Sequence, residues 1–216
     1  MRIRRRRKHL TSYLYFLQIT YDVIHEFAAE NVKYLELRST PREVTTTGMT
    51  KSSYVDAVLR AIKDCANENL DIIVKFLLAI DRRNGVDVAM ETVDLAEKYL
   101  SGGIVVGIDL SGDPTVGDAR DYIPVFEKAK KYGLKLALHI AECHGTISKL
   151  ENFLFQTDDK GVFSTSLSEE YEIAANTFNL SVDQVWRLSF DSIDHIFADD
   201  ITKQHLRSKF LKFRKI

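Results

Sequence analysis

Four short apolar runs alternate with amphipathic stretches between residues 32 and 142, and this alternation limits the fold more than any other feature. The first run holds Tyr34, Leu35 and Leu37, and Pro41 closes it. The others are Leu70 to Ile80, Ile104 to Leu110 and Leu134 to Ile140. The stretches between them carry helical spacing. Tyr54, Ala57, Val58, Ala61 and Ile62 fall on one face of a helix predicted over Lys51 to Asn69. Further helices are expected over Val86 to Leu100 and over Gly117 to Tyr132, where Pro124 either starts the helix or kinks it. Before the first strand, Val23, Ile24, Phe27 and Ala28 mark a helix over 20–31 that Asn31 stops. Short strands joined by helices of roughly 15 residues make parallel βαβ units, because a parallel pair needs a long crossover. The fold class is therefore α/β with a parallel sheet.

The last run, LKLALHIAE at 134–142, is apolar except for Lys135 and His139, which suits a strand covered on both faces. In a parallel barrel, polar residues at C-terminal strand ends sit on the catalytic face. Two readings of His139 are open: a metal ligand, or a histidine hydrogen-bonded at a strand end. Glu142 is either a proton carrier or the first residue of a loop. Polar groups also close the other runs: Glu36 and Arg38, Asp81, and Asp109 with Gly112. Glu36 with Arg38 reads as an ion pair inside the barrel, and Asp81 with Arg82 and Arg83 as a charged turn. Asp158 and Asp159 end a fifth short strand within FLFQTDDKG. Strand ends of one parallel sheet converge, and a His with an Asp from separate strands can bind zinc while a nearby Glu moves protons.

Beyond Glu142 the segment CHGTISKLEN shows no period, and the tail reads as all-helical. Ser168 is expected to cap a helix over 169–178. Ser181 is expected to cap another over 182–197 that buries Val185, Trp186, Leu188, Ile193 and Ile196. A basic helix follows from Ile201 to Phe213. At the other end, MRIRRRRKHL is almost wholly basic, and no acid precedes Asp22. A targeting segment and a plain solvated basic end both fit, and the absence of a small-residue cleavage site favours the second. The formal net charge of -1 gives no reason to expect a nucleic-acid surface. No apolar run reaches the roughly 18 residues that span a membrane. Cys65 and Cys143 have neither metal-site spacing nor the look of a disulfide framework, which points to a reducing, cytoplasmic setting.

YLELRSTP at 34–41, IDLSGDPTVG at 108–117, LALHIAE at 136–142 and TDDKGVF at 157–163 resemble the adenosine/AMP deaminase family, in family order. The similarity is strongest to its adenosine deaminase-like branch, which acts on N6-methyl-AMP. The resemblance implies an eight-stranded α/β barrel with one catalytic zinc ion, and hydrolytic loss of the amine at C6 of a purine nucleotide or nucleoside. His139 and Asp158 resemble zinc ligands. Glu142 resembles the glutamate that protonates the purine ring, and Asp159 the aspartate that hydrogen-bonds the base. Gly112 resembles the glycine whose backbone N–H contacts the base, and Asp109 supports the site from behind.

Several departures go with it. The family's first strand carries His-x-His, which supplies two zinc ligands, and this sequence has no His-x-His. His144-Gly145-Thr146 follows Glu142 after one residue, whereas family chains place this triplet on a separate strand. Two positions span at most about 7 Å, so His144 can reach the site only from a loop. Only 15 residues separate Glu142 from Asp158. The expected architecture is an incomplete (β/α)8 barrel lacking strand one and most of strands six and seven. Residues 1–19 then stand as a basic segment outside the family match, and 20–216 as one shortened deaminase domain. Such a chain is expected to have impaired activity or none, or to act as a non-catalytic binding relative. Its open sheet edges are expected to favour self-association.

Overall fold

The computed structural model describes residues 2–139 and 165–214, and side chains from residue 12 onward. The chain divides into two compact units, residues 1–146 and 147–216.

The first unit begins with α1, Arg2–Ala29, a single helix of 28 residues. It starts well before the helix expected over 20–31. Packing carries it back toward the basic end, for Phe16 meets the Tyr54 ring at 4.6 Å, and Ile24 and Phe27 are buried. The Tyr21 hydroxyl donates to Glu68 at 2.8 Å and anchors the helix to the loop after α2. Asn31 stops the segment in the left-handed region, with φ 65°. The helix α2, Lys51–Asn67, starts at a reciprocal cap between Thr50 and Ser53. It buries Tyr54, Ala57, Val58, Ala61 and Ile62, the face read from its spacing, together with Val55 and Cys65.

Four strands follow the sequence pattern: β1 Tyr34–Ser39, β2 Ile73–Asp81, β3 Val105–Ser111 and β4 Lys135–Leu138. All neighbours are parallel, in the order β1-β2-β3-β4. The helix α2 makes the first crossover, and α3, Gly85–Leu100, and α4, Ile123–Lys131, make the other two. Pro124 falls in the first turn of α4, where its missing N–H has no role, so it starts the helix and does not kink it.

Register separates the two faces of the sheet. Phe76, Leu78, Ile80, Val105, Ile108 and Leu110 belong to the core beneath the helices. The opposite face carries Glu36 and Arg38, then Leu77, Ala79 and Asp81, then Gly107, Asp109 and Ser111, since aligned parallel partners share a face. One face builds the core, and the other delivers polar groups to the strand ends.

β4 departs from expectation. A strand buried on both faces was predicted from Leu134 to Ile140. The observed strand has four residues, Lys135 is exposed and Leu138 is 38% exposed. The reason is its place in the sheet. It pairs with β3 on one side, and among the described residues no strand lies on its other side.

The described part of the second unit is helical, as read from the sequence. The helix α5, Leu167–Phe178, is capped by Ser166 and not by Ser168, because Ser166 and Glu169 form the reciprocal pair of a capping box. The helix α6, Val182–Asp191, starts at Ser181 with Gln184 as its partner and ends before the expected 197. Val185, Trp186, Leu188 and Ile196 are only half-buried, and Ile193, in a following 3-10 turn, is the buried member of that set. The helix α7, Asp200–Phe213, is capped by Asp199. Trp186 stacks on Phe190 with centroids 5.0 Å apart, and Leu206 and Ala174 are buried. The fifth strand expected within FLFQTDDKG lies outside the described residues.

Candidate functional site

Polar groups meet where β1, β3 and β4 end. Asp109, on β3, has no exposed surface. Its Oδ2 pairs with Arg38 Nη1 at 3.0 Å, reaching across β2 to β1. Its Oδ1 lies 2.9 Å from Nδ1 of His139, the residue after β4. The burial of this carboxylate depends on both partners, since an unpaired charge there would be strongly unfavourable. Glu36, on the same face of β1 as Arg38, accepts from the Tyr34 hydroxyl at 3.0 Å.

The neighbours of Nδ1 indicate the tautomer of His139. Nδ1 faces two acceptors, Asp109 Oδ1 at 2.9 Å and the Leu110 carbonyl at 3.2 Å, so it carries the proton. Arg38 Nη1 lies 2.6 Å from Nε2, over the face of the ring. The same Arg38 nitrogen is 3.1 Å from Nδ1. The main chain of His139 is also held. Its N–H donates to Leu110 at 2.9 Å, and its carbonyl accepts from the Arg82 guanidinium.

Arg82 is the residue that sequence reasoning missed. It was placed in a charged turn, yet it is only 5% exposed. The Tyr122 hydroxyl donates to its carbonyl at 2.9 Å. Its neighbours explain the difference. Asp81 accepts from the Arg83 N–H at 3.0 Å and pairs with the Arg83 guanidinium, so Arg83 forms the exposed turn and Arg82 points inward. The Arg83 hydrogen bond holds the Asp81 carboxyl below the usual carboxylate range. Nothing in the local sequence tells two adjacent arginines apart.

Gly112 follows β3 with φ 91°, in the region that favours glycine. A Cβ there would stand 2.5 Å from Asp81 Oδ1 and 3.1 Å from the Arg82 nitrogen. Its backbone is therefore pressed against the end of β2. The structure thus brings His139, Asp109 and Arg38 together, with Gly112 at the same strand-end edge beside Asp81. Glu142, Asp158, Asp159 and His144 lie outside the described residues.

Of the two residues that family likeness assigns to zinc, His139 is described and Asp158 lies outside the described residues. A catalytic zinc site uses three protein ligands and an open position. Among the described residues no group of three His, Cys, Asp or Glu can hold a metal.

A parallel α/β sheet with polar groups gathered at its C-terminal strand ends defines a barrel-type enzyme scaffold. Residues 6–152 match the adenosine deaminase family model. The chain is 43% identical to the N6-methyl-AMP deaminase of Homo sapiens, over 262 residues that cover 90% of this chain and 74% of that protein. The matched stretch is longer than this whole chain, so the relative carries residues inside it that have no counterpart here. The crystal structure of the Arabidopsis N6-mAMP deaminase superposes with a TM-score of 0.81 at 32% identity, covering 91% of this chain and 78% of that one. Further structures of the Arabidopsis protein are complexes with GMP and with IMP. An adenine deaminase from Arthrobacter aurescens shares the fold at 18% identity, with a TM-score of 0.78 over 93% of this chain and 80% of that one. The chain belongs to the adenosine deaminase family. Its architecture is that of an incomplete (β/α)8 barrel.

Proposed function

We propose that this chain is a purine-nucleotide domain of the N6-methyl-AMP aminohydrolase class, with its strand-end frame in place and its hydrolytic power impaired. The observation that carries this reading is the Arg38–Asp109–His139 cluster at the C-terminal ends of parallel strands, in a chain 43% identical to an N6-methyl-AMP deaminase. Purine nucleotides are the proposed ligands, as the GMP and IMP complexes of the Arabidopsis relative suggest. In this reading the Gly112 backbone N–H meets the base, Asp159 hydrogen-bonds it, and Glu142 delivers a proton to the ring. Asp158 and His139 are the residues that family likeness assigns to zinc. The setting proposed is the cytoplasm, and no helix among the described residues is long and apolar enough to cross a membrane.

Impairment follows from the donor set. The chain has no His-x-His, the pair that family likeness would assign to two of the zinc-ligand positions. The experiment pairs calorimetric titration of the purified chain with IMP, GMP and N6-methyl-AMP with a deamination assay in excess zinc. The expected result is saturable nucleotide binding, with turnover at least about a thousandfold below a full-length relative, on the scale of lost acid–base catalysis. Failure of all three nucleotides to bind would overturn the class of ligand. Turnover close to that of a full-length relative, abolished in Glu142→Gln, would overturn the impairment.

A further inference from the structure

Helix α1 is apolar on two sides. Phe16, Thr20, Ile24 and Phe27 recur at steps of three or four and make its inner face. Phe16 packs on Tyr54, and the other three are buried. The other side carries Leu14, Tyr15 and Ile19, which are 51%, 61% and 40% exposed. Toward its N-terminus the same helix is strongly basic. Arg2, Arg4, Arg5, Arg6, Arg7 and Lys8 occupy its first two turns, and no acid precedes Asp22. On the helical period the sequence runs back from Ile19 through Tyr15, Thr11 and Lys8 to Arg4. A neighbouring row runs from Leu14 through Leu10 and Arg7 to Ile3. Apolar and basic positions therefore share one side of the helix.

The basic stretch works against the helix that contains it. Cations at the N-terminal end meet the positive end of the macrodipole, and like charges three or four residues apart repel. The first turn holds no acid to offset them. An anionic surface removes both penalties. Two kinds of polyanion suit a row of arginines, a nucleic acid and an anionic bilayer, and Leu14 and Ile19 decide between them. Exposed aliphatic side chains beside cations suit a helix lying at the headgroup boundary. They add nothing against a phosphodiester backbone, which is bound through charge. No helix among the described residues is long and apolar enough to cross a membrane, so the contact runs along the surface.

We propose that residues 2–19 of α1 form a docking surface for an anionic lipid bilayer. The basic stretch meets the headgroups, and Leu14, Tyr15 and Ile19 enter the boundary beneath them. The row from Phe16 to Phe27 holds the helix to the rest of its unit meanwhile. About 27 Å of helix lies in the membrane plane. Asp22 and Glu26, exposed further along, end the surface, because anionic lipid repels them. The cytoplasmic leaflet supplies such lipid, which agrees with the setting proposed above.

The test uses the full chain and phosphatidylcholine vesicles with and without about a third phosphatidylserine. It reads no nucleotide or turnover, so its outcome is separate from that of the proposed function. Co-sedimentation is expected to show at least about tenfold tighter binding to the anionic vesicles, weakened by salt. Each Lys or Arg near such a surface is worth roughly fivefold in affinity. Arg4→Gln with Arg7→Gln and Lys8→Gln should therefore cost about a hundredfold. Leu14→Ser with Ile19→Ser keeps every charge and should cost at least about tenfold. Lys209→Gln with Lys212→Gln, on α7, should leave binding unchanged. In Leu14→Trp, anionic vesicles should shift the tryptophan emission to the blue. Equal affinity for both vesicles, or none for either, would overturn the proposal. An equal loss from the α7 changes would overturn it too. Binding that survives Leu14→Ser with Ile19→Ser and is displaced by single-stranded RNA would mark a nucleic-acid surface and refute it. So would a self-associated wild type that ignores vesicles and dissociates in that double variant, which would make this side a contact between copies. If circular dichroism shows a multiple variant unfolded, the wild-type vesicle preference and the Leu14→Trp emission decide.

Discussion

Asp109 shows how one buried carboxylate organises a site. With no exposed surface and two partners on neighbouring chain segments, it links β1, β3 and the end of β4. Asp109→Ala is therefore expected to lower stability by about 3 kcal/mol, the scale for breaking a buried pair by removing one partner. Urea unfolding measures this, and a loss below about 1 kcal/mol would show that Arg38 and His139 are satisfied without it. Cys65 gives a second prediction at this scale. Burial between α2 and its neighbours pushes its thiol up to about 11, from an ordinary value of 9.0. Its thiolate fraction at pH 8 should be about a hundredfold lower than that of an unstructured cysteine, and its alkylation correspondingly slow. The raised value has a definite sign. The stabilisation is fully present below pH 9 and is lost as pH rises toward 11. Peptide mapping of alkylated protein reads the first effect. Unfolding curves at pH 8 and pH 10.5, compared with Cys65→Ala, read the second.

Elements are held by close approach as much as by propensity. The distance between β3 and β4 is set at Gly107, where any Cβ would run into the carbonyl of Lys135. Gly107→Ala must push β4 away and break the ladder that presents His139. The expected result is loss of hydrogen-exchange protection in Lys135–Leu138 and a stability loss of about 2 kcal/mol or more, as for overpacking against rigid backbone. Retained protection at Leu136 and Leu138 would contradict it. Helix caps act in the same way at the surface. Ser166→Ala should cost about 1 kcal/mol of α5 stability, whereas Ser168→Ala should have little effect, because only Ser166 accepts from the Glu169 N–H.

At the scale of the whole molecule the sheet is short of neighbours. β1 and β4 each pair with one strand among those described, and Leu138 is partly exposed at the β4 side. Exposed apolar side chains also mark the second unit, among them Ile173, Phe178, Val182 and Phe213. Unpaired strand edges and apolar surface both favour association. We expect the purified chain to self-associate at micromolar concentration. Sedimentation velocity across a dilution series tests this, and a monomer at all concentrations with a sharp cooperative melt would refute it.

The class of fold was readable from the chain alone. Apolar runs of strand length separated by helical spacing leave few alternatives to parallel βαβ units, and β1, β2, β3, α2 and α3 fall within a few residues of their predicted places. The sequence also placed Asp109, Gly112 and His139 at strand ends, because a strand's last polar residue is visible in one dimension. The cap of α5 was read at Ser168, and the structure places it at Ser166, whose capping-box partner Glu169 lies three residues on. What the sequence left open depends on contacts between residues distant in the chain. Arg38 and Asp109 are 71 positions apart, and Arg38 and His139 are 101 apart. No local pattern says which acid an arginine will find. The burial of Arg82 is likewise tied to the carbonyl of His139, just past the end of β4 and 57 positions away. The half-exposure of β4 follows from its neighbours in the sheet and not from its own composition. Periodicity is a property of adjacent residues and can be read from the chain. Charge pairing and burial are properties of the assembled sheet, because they depend on which distant residues the fold brings into contact.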